Sequence, residues 1–358
     1  MAAPSSSVVT VDPDGDLVLL LDLMPIHESD ESSSKPQINV PNANFFSPEA
    51  ANSPGRTQNV CTQPFKSKIL VSSKHMSFAS PVFKAMLTGD FKEAVELREK
   101  GRIEIPLPDD DACAMIILII MHGRFKSVTK YPNLALFAKI AILVDKYQCH
   151  ESTEFAVKVW TANHRPLPWS RSWYNTSCWI CVAWVFRLDD GFREATEKII
   201  RESGVGLGAI LKENDLALPI PERVINKIDE SRENAISQLI NILKDTISRY
   251  QGQTLIYPSH SLCVLDIISH RETCDATVLG SLIKSATEKR LFPFPEAPFK
   301  NPLRYCVVKG SIASLNPQTA CNVVVQDESL HHDVLEMIQQ SIESMDQNIS
   351  GLSLADCK

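Results

Sequence analysis

From Phe65 to Thr88 the chain reads FKSKILVSSKHMSFASPVFKAMLT, an order of segments that few folds accept. Ile69 and Val71 alternate with Lys68, Leu70 and Ser72 as the end of a half-buried strand does. Ser80 ahead of Pro81 pairs an N-cap with proline at the first helical position, and Val82, Phe83, Met86 and Leu87 then share one helical face. The stretch therefore predicts a strand, a short helix and a capped second helix, joined by a serine-rich turn.

What precedes it supplies strands for the same sheet. Val8, Val9 and Val11, the turn formers Asp12 to Asp16, and the apolar run Leu17 to Leu23 predict a β-hairpin whose second strand is buried on both faces. Residues 25–64 are rich in Ser, Pro and Asn, acidic at the start and without apolar periodicity, so a disordered insertion is expected, with Ser47 and Ser53, each followed by proline, as candidate phosphorylation sites. Closing the sheet across such a loop is tolerable because closure entropy grows only logarithmically with length.

Beyond the organising stretch, Ile103 to Pro108 reads as an alternating strand ended by proline, and Asp109 to Asp111 as the acidic start of a helix buried on all sides, Met115 to His122. Leu134, Phe137, Ala138, Ala141, Ile142 and Val144 recur at helical spacing, and Phe155, Val159 and Trp160 continue in a following helix. Past Pro166 and Pro168 the chain turns helical again: Trp173 to Phe186, then a break at Asp189-Asp190-Gly191, then Phe192 to Ser203. A helix from about Glu222 to Tyr250 carries Val224, Ile228, Ile236, Leu239, Ile240, Leu243 and Ile247 near heptad spacing. That pattern suits a helix packed on its own domain and leaves an intermolecular coiled coil as the other reading. Helices over Asp275 to Glu288 and Leu330 to Ile349 complete the prediction.

Ser80, Phe83, Ala85, Met86 and Leu87, following a strand and a turn containing Lys74, together with Asp145, Lys146, Tyr147 and Cys149 in a DKY..C order, resemble the BTB/POZ domain as it occurs in fungal BTB proteins. The resemblance covers residues 8 to 163. It implies an α+β fold, a small mixed sheet flanked by helices, with Val71, Ser80, Phe83, Met86, Leu87, Asp145 and Tyr147 as core positions. Residues 1–24 would be the opening hairpin, 25–64 the insertion and 65–163 the remainder of the domain. Helical regions over 164–255 and 256–358 follow, the latter with a partly disordered tail. Two positions depart from the family pattern: Ser73-Lys74 stands where many members carry His-Lys, and Met121-His122-Gly123 where they carry an aromatic, Thr or Ser, and Gly.

For function the resemblance implies a non-enzymatic protein-interaction module that self-associates as a scaffold or adaptor. It allows as alternatives a substrate adaptor of a cullin-type ubiquitin ligase, with a cullin as partner, or a transcription-associated scaffold. Nothing resembling a kelch or MATH module, zinc fingers or a basic region accompanies it. The net charge of -7 offers no broad attraction to nucleic acid or an anionic membrane. No apolar run approaches the roughly 20 residues of a membrane span, and the opening residues lack a signal-peptide pattern, so an intracellular protein, nuclear or cytoplasmic, is expected.

Catalytic motifs of the GxSxG, phosphate-loop and HExxH kinds do not occur. Cys178 and Cys181 form a CxxC, but Trp179 and Ile180 between them predict two buried thiols one helical turn apart, not a redox pair. Cys263, Cys274, Cys306 and Cys321, with His270 and His331-His332, are soft potential ligands whose spacings do not repeat as structural zinc motifs do. The expectation is accordingly no cofactor and no metal, with Cys263, Cys274, Cys321 and His331 the residues a zinc ion would use.

Overall fold

The computed structural model describes residues 8–22, 66–107, 115–163, 172–252, 262–263, 268–299, 303–321 and 333–357. The protein is a mixed α+β chain, mostly helical, that divides between Leu188 and Asp189 into two compact units. The insertion at 25–64 with Ser47 and Ser53, the acidic start at Asp109 to Asp111, and His331 and His332 lie outside the described residues.

The first unit is built on a four-stranded sheet in the order β1-β3-β2-β4, with β1 Val8–Thr10, β2 Leu17–Asp22, β3 Lys66–Val71 and β4 Ile103–Leu107. The expected hairpin between the first two strands does not form. β2 instead pairs antiparallel with β3, Leu17 opposite Val71 and Leu21 opposite Ser67, while β1 lies parallel to β3 on its other side. The Asp12 to Asp16 turn is wide enough to straddle a strand. Val11 and Asp12 N–H both donate to Leu70 O, and a Cβ at Gly15 would stand 2.6 Å from Val71 O, so the turn is folded over the end of β3. β2 is thus interior, as its continuous apolar run predicts, with Leu17, Val18, Leu19 and Leu21 buried. β4 runs parallel to β2 and alternates buried Ile103, Ile105 and Leu107 with exposed Glu104 and Pro106, a proline placement that an edge strand tolerates.

The helices described in this unit are α1 Ser73–Ala79, α2 Pro81–Thr88, α3 Lys92–Lys100, α4 Ile116–Met121, α5 Leu134–Tyr147, α6 His150–Asn163 and α7 Trp173–Val185, of which α3 meets β4. α4 is less enclosed than expected, since Ile116 and Ile119 are only half-buried. Every residue of α7 from Thr176 to Val185 is buried, and α7 packs on α5. Its all-round apolar surface needs cover on every side. The first unit therefore extends past residue 163, the boundary drawn from sequence.

The second unit joins what the sequence reading separated at 255/256. α10 Glu222–Tyr250 packs against α8 Asp189–Glu202, α9 Leu207–Glu213, α11 Ile268–Glu288, α12 Tyr305–Ala313 and α13 Val334–Asn348. Its heptad-like stripe, Val224, Ile228, Ile236, Leu239, Ile240, Leu243 and Ile247, is buried within its own unit. Asp189 and Asp190 open α8 in place of the expected break, favoured by the positive end of the helix dipole. The tail, expected to be partly disordered, is docked over 349–357: Leu352 N–H donates to Thr196 Oγ1 at 2.9 Å and Leu354 N–H to Asp189 Oδ1 at 2.7 Å. Gly351 lies so close to α8 that a Cβ there would collide with Arg193 O.

Candidate functional site

β3 ends at Val71, fully buried, and Ser72 caps α1 by accepting the His75 N–H at 3.4 Å. Ser73 donates twice to Asp16, N–H to Oδ1 at 2.7 Å and Oγ–H to Oδ2 at 2.6 Å. Ser72 N–H donates to His122 Nε2 at 3.0 Å, and His122 Nδ1 lies 2.6 Å from Leu118 O. That pair of bonds requires the proton on Nδ1 and a neutral ring. Burial lowers the His122 pKa in the same sense. The two places where the sequence departs from the BTB pattern, Ser73 and His122, thus meet at one turn and lock β3 to the turn before β2 and to α4. Asp12, His75 and His122 stand close enough to suggest a metal site, but both His122 nitrogens are already engaged with the backbone.

One turn later Ser80 is completely buried and its Oγ does two jobs: it accepts the Phe83 N–H at 3.1 Å as the α2 cap and donates to Tyr147 O at 2.6 Å. Phe83, also fully buried, stacks on Tyr147 with ring centroids 4.4 Å apart, and Leu87 completes the inner face of α2. The structure brings together Ser80, Phe83, Leu87 and Tyr147, with Val71 at the strand end. Two expected core positions are not core. Asp145 is exposed, because Tyr147, the last residue of α5, takes the inward direction and a residue two positions away on a helix points elsewhere. Met86 is half-buried and faces outward with Pro81, Val82 and Ala85.

Those four residues, with Phe91, Glu93 and Gln148, line an open groove of ≈ 530 Å³. Phe91 is 60% exposed at its rim, and on α1 Phe78 is 95% exposed. The sequence contained a signal for this face: α2 carries apolar residues at Val82 and Met86 as well as at Phe83 and Leu87, more than one buried stripe requires.

The cysteines separate into different environments. Cys178 and Cys181 are buried in α7, where burial pushes Cys178 up to about 11 and Cys181 higher still, so neither is a ready thiolate. Cys306 is exposed on α12. Cys263, Cys274 and Cys321 converge from three separate segments: Cys274 Sγ lies 2.9 Å and Cys263 Sγ 3.2 Å from Cys321 Sγ. All three are buried and form a small cluster of their own with Ala320 at its edge.

Comparison with family models, curated proteins and solved structures returns no match. The functional reading therefore rests on the residues themselves. One polar residue that sequence reasoning missed is Arg232 on α10, 1% exposed, whose Nε donates to Ser203 O at 2.9 Å and whose NH2 donates to Leu303 O at 3.0 Å. Its signal was present, since position 232 continues the apolar stripe of Ile228 and Ile236. Among the described residues, no helix is long and apolar enough to cross a membrane.

Proposed function

We propose that the chain is a non-enzymatic protein-interaction module of BTB type that self-associates through the outer face of α2. The observation that carries this reading is the division of α2 into two apolar faces. Phe83 and Leu87 face inward, while Pro81, Val82, Ala85 and Met86 line an open groove rimmed by exposed Phe91. A helix with apolar residues on its solvent side leaves surface whose burial against a partner is favourable.

Support for the BTB-like arrangement comes from the order of parts. An antiparallel β2-β3 pair leads through a Ser-capped α1 into a Ser80-capped α2, and α5 and α6 close the unit with Tyr147 on Phe83. The helix from Ser80 to Leu87 resembles one of the elements that pair in BTB dimers, and a second copy is therefore the occupant assigned to the groove. The converging polar groups Asp16, Ser72, Ser73 and His122 are engaged in holding the turn between β3 and α1, which favours a structural role for that cluster over a catalytic one.

Sedimentation equilibrium of the full chain tests the proposal. Wild type is expected to show a concentration-dependent dimer at about 10 µM, in the range of a standard-size interface of modest affinity. Met86→Glu with Phe91→Glu is expected to remain monomeric with an unchanged melting profile. A wild-type chain that stays monomeric, or a double variant that dimerises equally, overturns it.

A further inference from the structure

The three converging cysteines do not fit the remaining explanations for buried thiols. An apolar core uses large side chains, yet among the described residues Cys263, Cys274 and Cys321 form their own cluster, with Ala320 the hydrophobic residue packed against it. A disulfide would join two sulfurs at about 2.05 Å and strand the third. Their sulfur atoms all stand within 4.8 Å of one another. Tetrahedral zinc with Zn–S bonds of about 2.3 Å sets its sulfurs roughly 3.8 Å apart, so Cys321 Sγ, 2.9 Å from Cys274 Sγ and 3.2 Å from Cys263 Sγ, would part from them by a little under an ångström to admit the ion.

The surroundings point the same way. Ala320 N–H donates to Cys274 Sγ at 3.2 Å, the kind of outer bond that steadies a metal-bound thiolate. Asp275, next to Cys274 on α11, accepts Leu262 N–H at 2.9 Å and Cys263 N–H at 3.1 Å, fixing the Cys263 segment against the helix. His270 lies one helical turn before Cys274 on α11, hence on the same face, and its Nδ1 is buried without a hydrogen-bond partner. A buried ring nitrogen in that condition is costly unless something binds it.

We propose that Cys263, Cys274 and Cys321, with the imidazole of His270, form a structural zinc site that staples the segments before α11 and after α12 onto α11. The three mutually close sulfurs define the centre; no ring nitrogen of His270 stands within 4.8 Å of all three, so its side chain would have to turn towards them, and it is assigned from its helical position and its unpartnered nitrogen. On binding, three thiols release their protons to solvent and the neutral imidazole contributes a lone pair. A divalent ion in that set leaves one net negative charge, which the Ala320 N–H faces. The site is independent of the interaction reading and stands if that reading fails.

Full-length protein purified without chelator and dialysed against metal-free buffer is expected to contain one zinc per chain by elemental analysis. Cobalt substitution should give thiolate-to-metal charge-transfer absorption and tetrahedral d–d bands. Cys274→Ser and Cys321→Ser should abolish both, and Cys306→Ser should change neither. His270→Ala should weaken cobalt binding at least about tenfold, the least that losing even an outer-shell partner costs. Should the serine variants fail to fold, chelation of the wild type decides: zinc removal should lower the melting temperature of the second unit, and zinc return should restore it. Protein without metal whose melting is indifferent to added zinc would leave the three cysteines as a buried core and overturn the site. Zinc lost equally from Cys306→Ser and Cys274→Ser would mark adventitious binding and overturn it too. Wild-type affinity and spectrum in His270→Ala would overturn the ligand set as assigned.

Discussion

The two units solve the same problem, satisfying backbone groups while burying apolar surface, with different side chains. In the first, a sheet pairs the backbone of β2 on both edges, and the polar residues at its helix starts are small, although Arg124 and His122 also tie backbone groups at Val11 O and Ser72 N–H. Ser72 and Ser80 cap helix starts, and Ser73 and Ser80 reach Asp16 and Tyr147 O. In the second no strand occurs among the described residues, and helices meet through apolar stripes that leave terminal carbonyls without partners. There guanidinium ions supply several of the connections, beside Thr196, Asp189 and Asp275. Arg232 takes Ser203 O at the end of α8, and Arg201 takes Asp346 O at 3.1 Å and Ile349 O at 2.8 Å at the end of α13. A sheet supplies directional bonds between elements at no side-chain cost; a helical assembly obtains them from side chains, long cations among them.

The five tryptophans, at 160, 169, 173, 179 and 184, all belong to the first unit, so tryptophan fluorescence follows that unit while circular dichroism follows the helices of both. The largest expected effect is Phe83→Ala. Removing a fully buried ring that stacks on Tyr147 should cost about 3–5 kcal/mol. The fluorescence transition should move to much lower denaturant while a later dichroism transition stays in place. A single shared transition that moves as a whole would break the comparison between units. A change within experimental error would undo the inward placement of Phe83.

Arg232→Ala sharpens the other half. It removes a buried cation from two carbonyls, each costing about 1–3 kcal/mol when left unsatisfied, and because relief of the buried charge offsets part of that sum it should destabilise by about 2–4 kcal/mol in total. Its effect should appear in dichroism with the fluorescence transition unmoved. Ser80→Ala is expected to cost about 1–2 kcal/mol, the ordinary loss of an N-cap with the bond to Tyr147 O lost beside it, and to appear in fluorescence. If Ser80→Ala proves costlier than Arg232→Ala, the assignment of long cations among the second unit's stronger ties fails.

How much of this was legible in the sequence follows from the range of the forces involved. Val71, Ser80, Phe83, Leu87 and Tyr147 could be placed because strand alternation, capping and helical spacing act over a few residues. The stripe on α10 was equally visible, and its end in a folded core was one of two readings left open. Strand pairing was not visible, because adjacent strands with a turn between them make a hairpin only if nothing enters the gap, and β3 arrives from beyond the insertion to do so. Met86 and Asp145 were misplaced because a family pattern marks positions without saying which face each one takes. The cysteine cluster was out of reach: Cys321 lies 47 residues from Cys274 and 58 from Cys263, so convergence depends on how α11 and the segment after α12 pack.

The smallest expected effect concerns Asp346, where the second unit gathers its charges. Its Oδ1 accepts from Tyr305 Oη–H at 2.6 Å and lies 2.6 Å from Arg201 NH1, and its Oδ2 lies 2.9 Å from Lys309 Nζ. Partial burial opposes ionisation, but the hydrogen bonds from Tyr305, Lys309 and Arg201 outweigh it and hold the carboxyl at about 2, below its ordinary 3.8. The unfolded chain therefore takes up the proton more readily than the folded one. The stability this group contributes is whole above pH 3.8 and disappears as the pH falls through that value towards 2. Asp189 and Asp356 in the same unit are also lowered, the first chiefly by Leu354 N–H and the second by Ser353, so acid weakens the wild type through several groups at once. Comparing the wild type with Asp346→Asn isolates one of them, because the other groups titrate in both proteins. The urea midpoint of the dichroism transition should be higher for the wild type at pH 6, and the gap should close between pH 4 and pH 2. A gap that persists unchanged at pH 2 would mean that the carboxylate charge does not hold α13 to α8 and α12, and that the neutral hydrogen bonds with Tyr305 and the backbone carbonyls suffice.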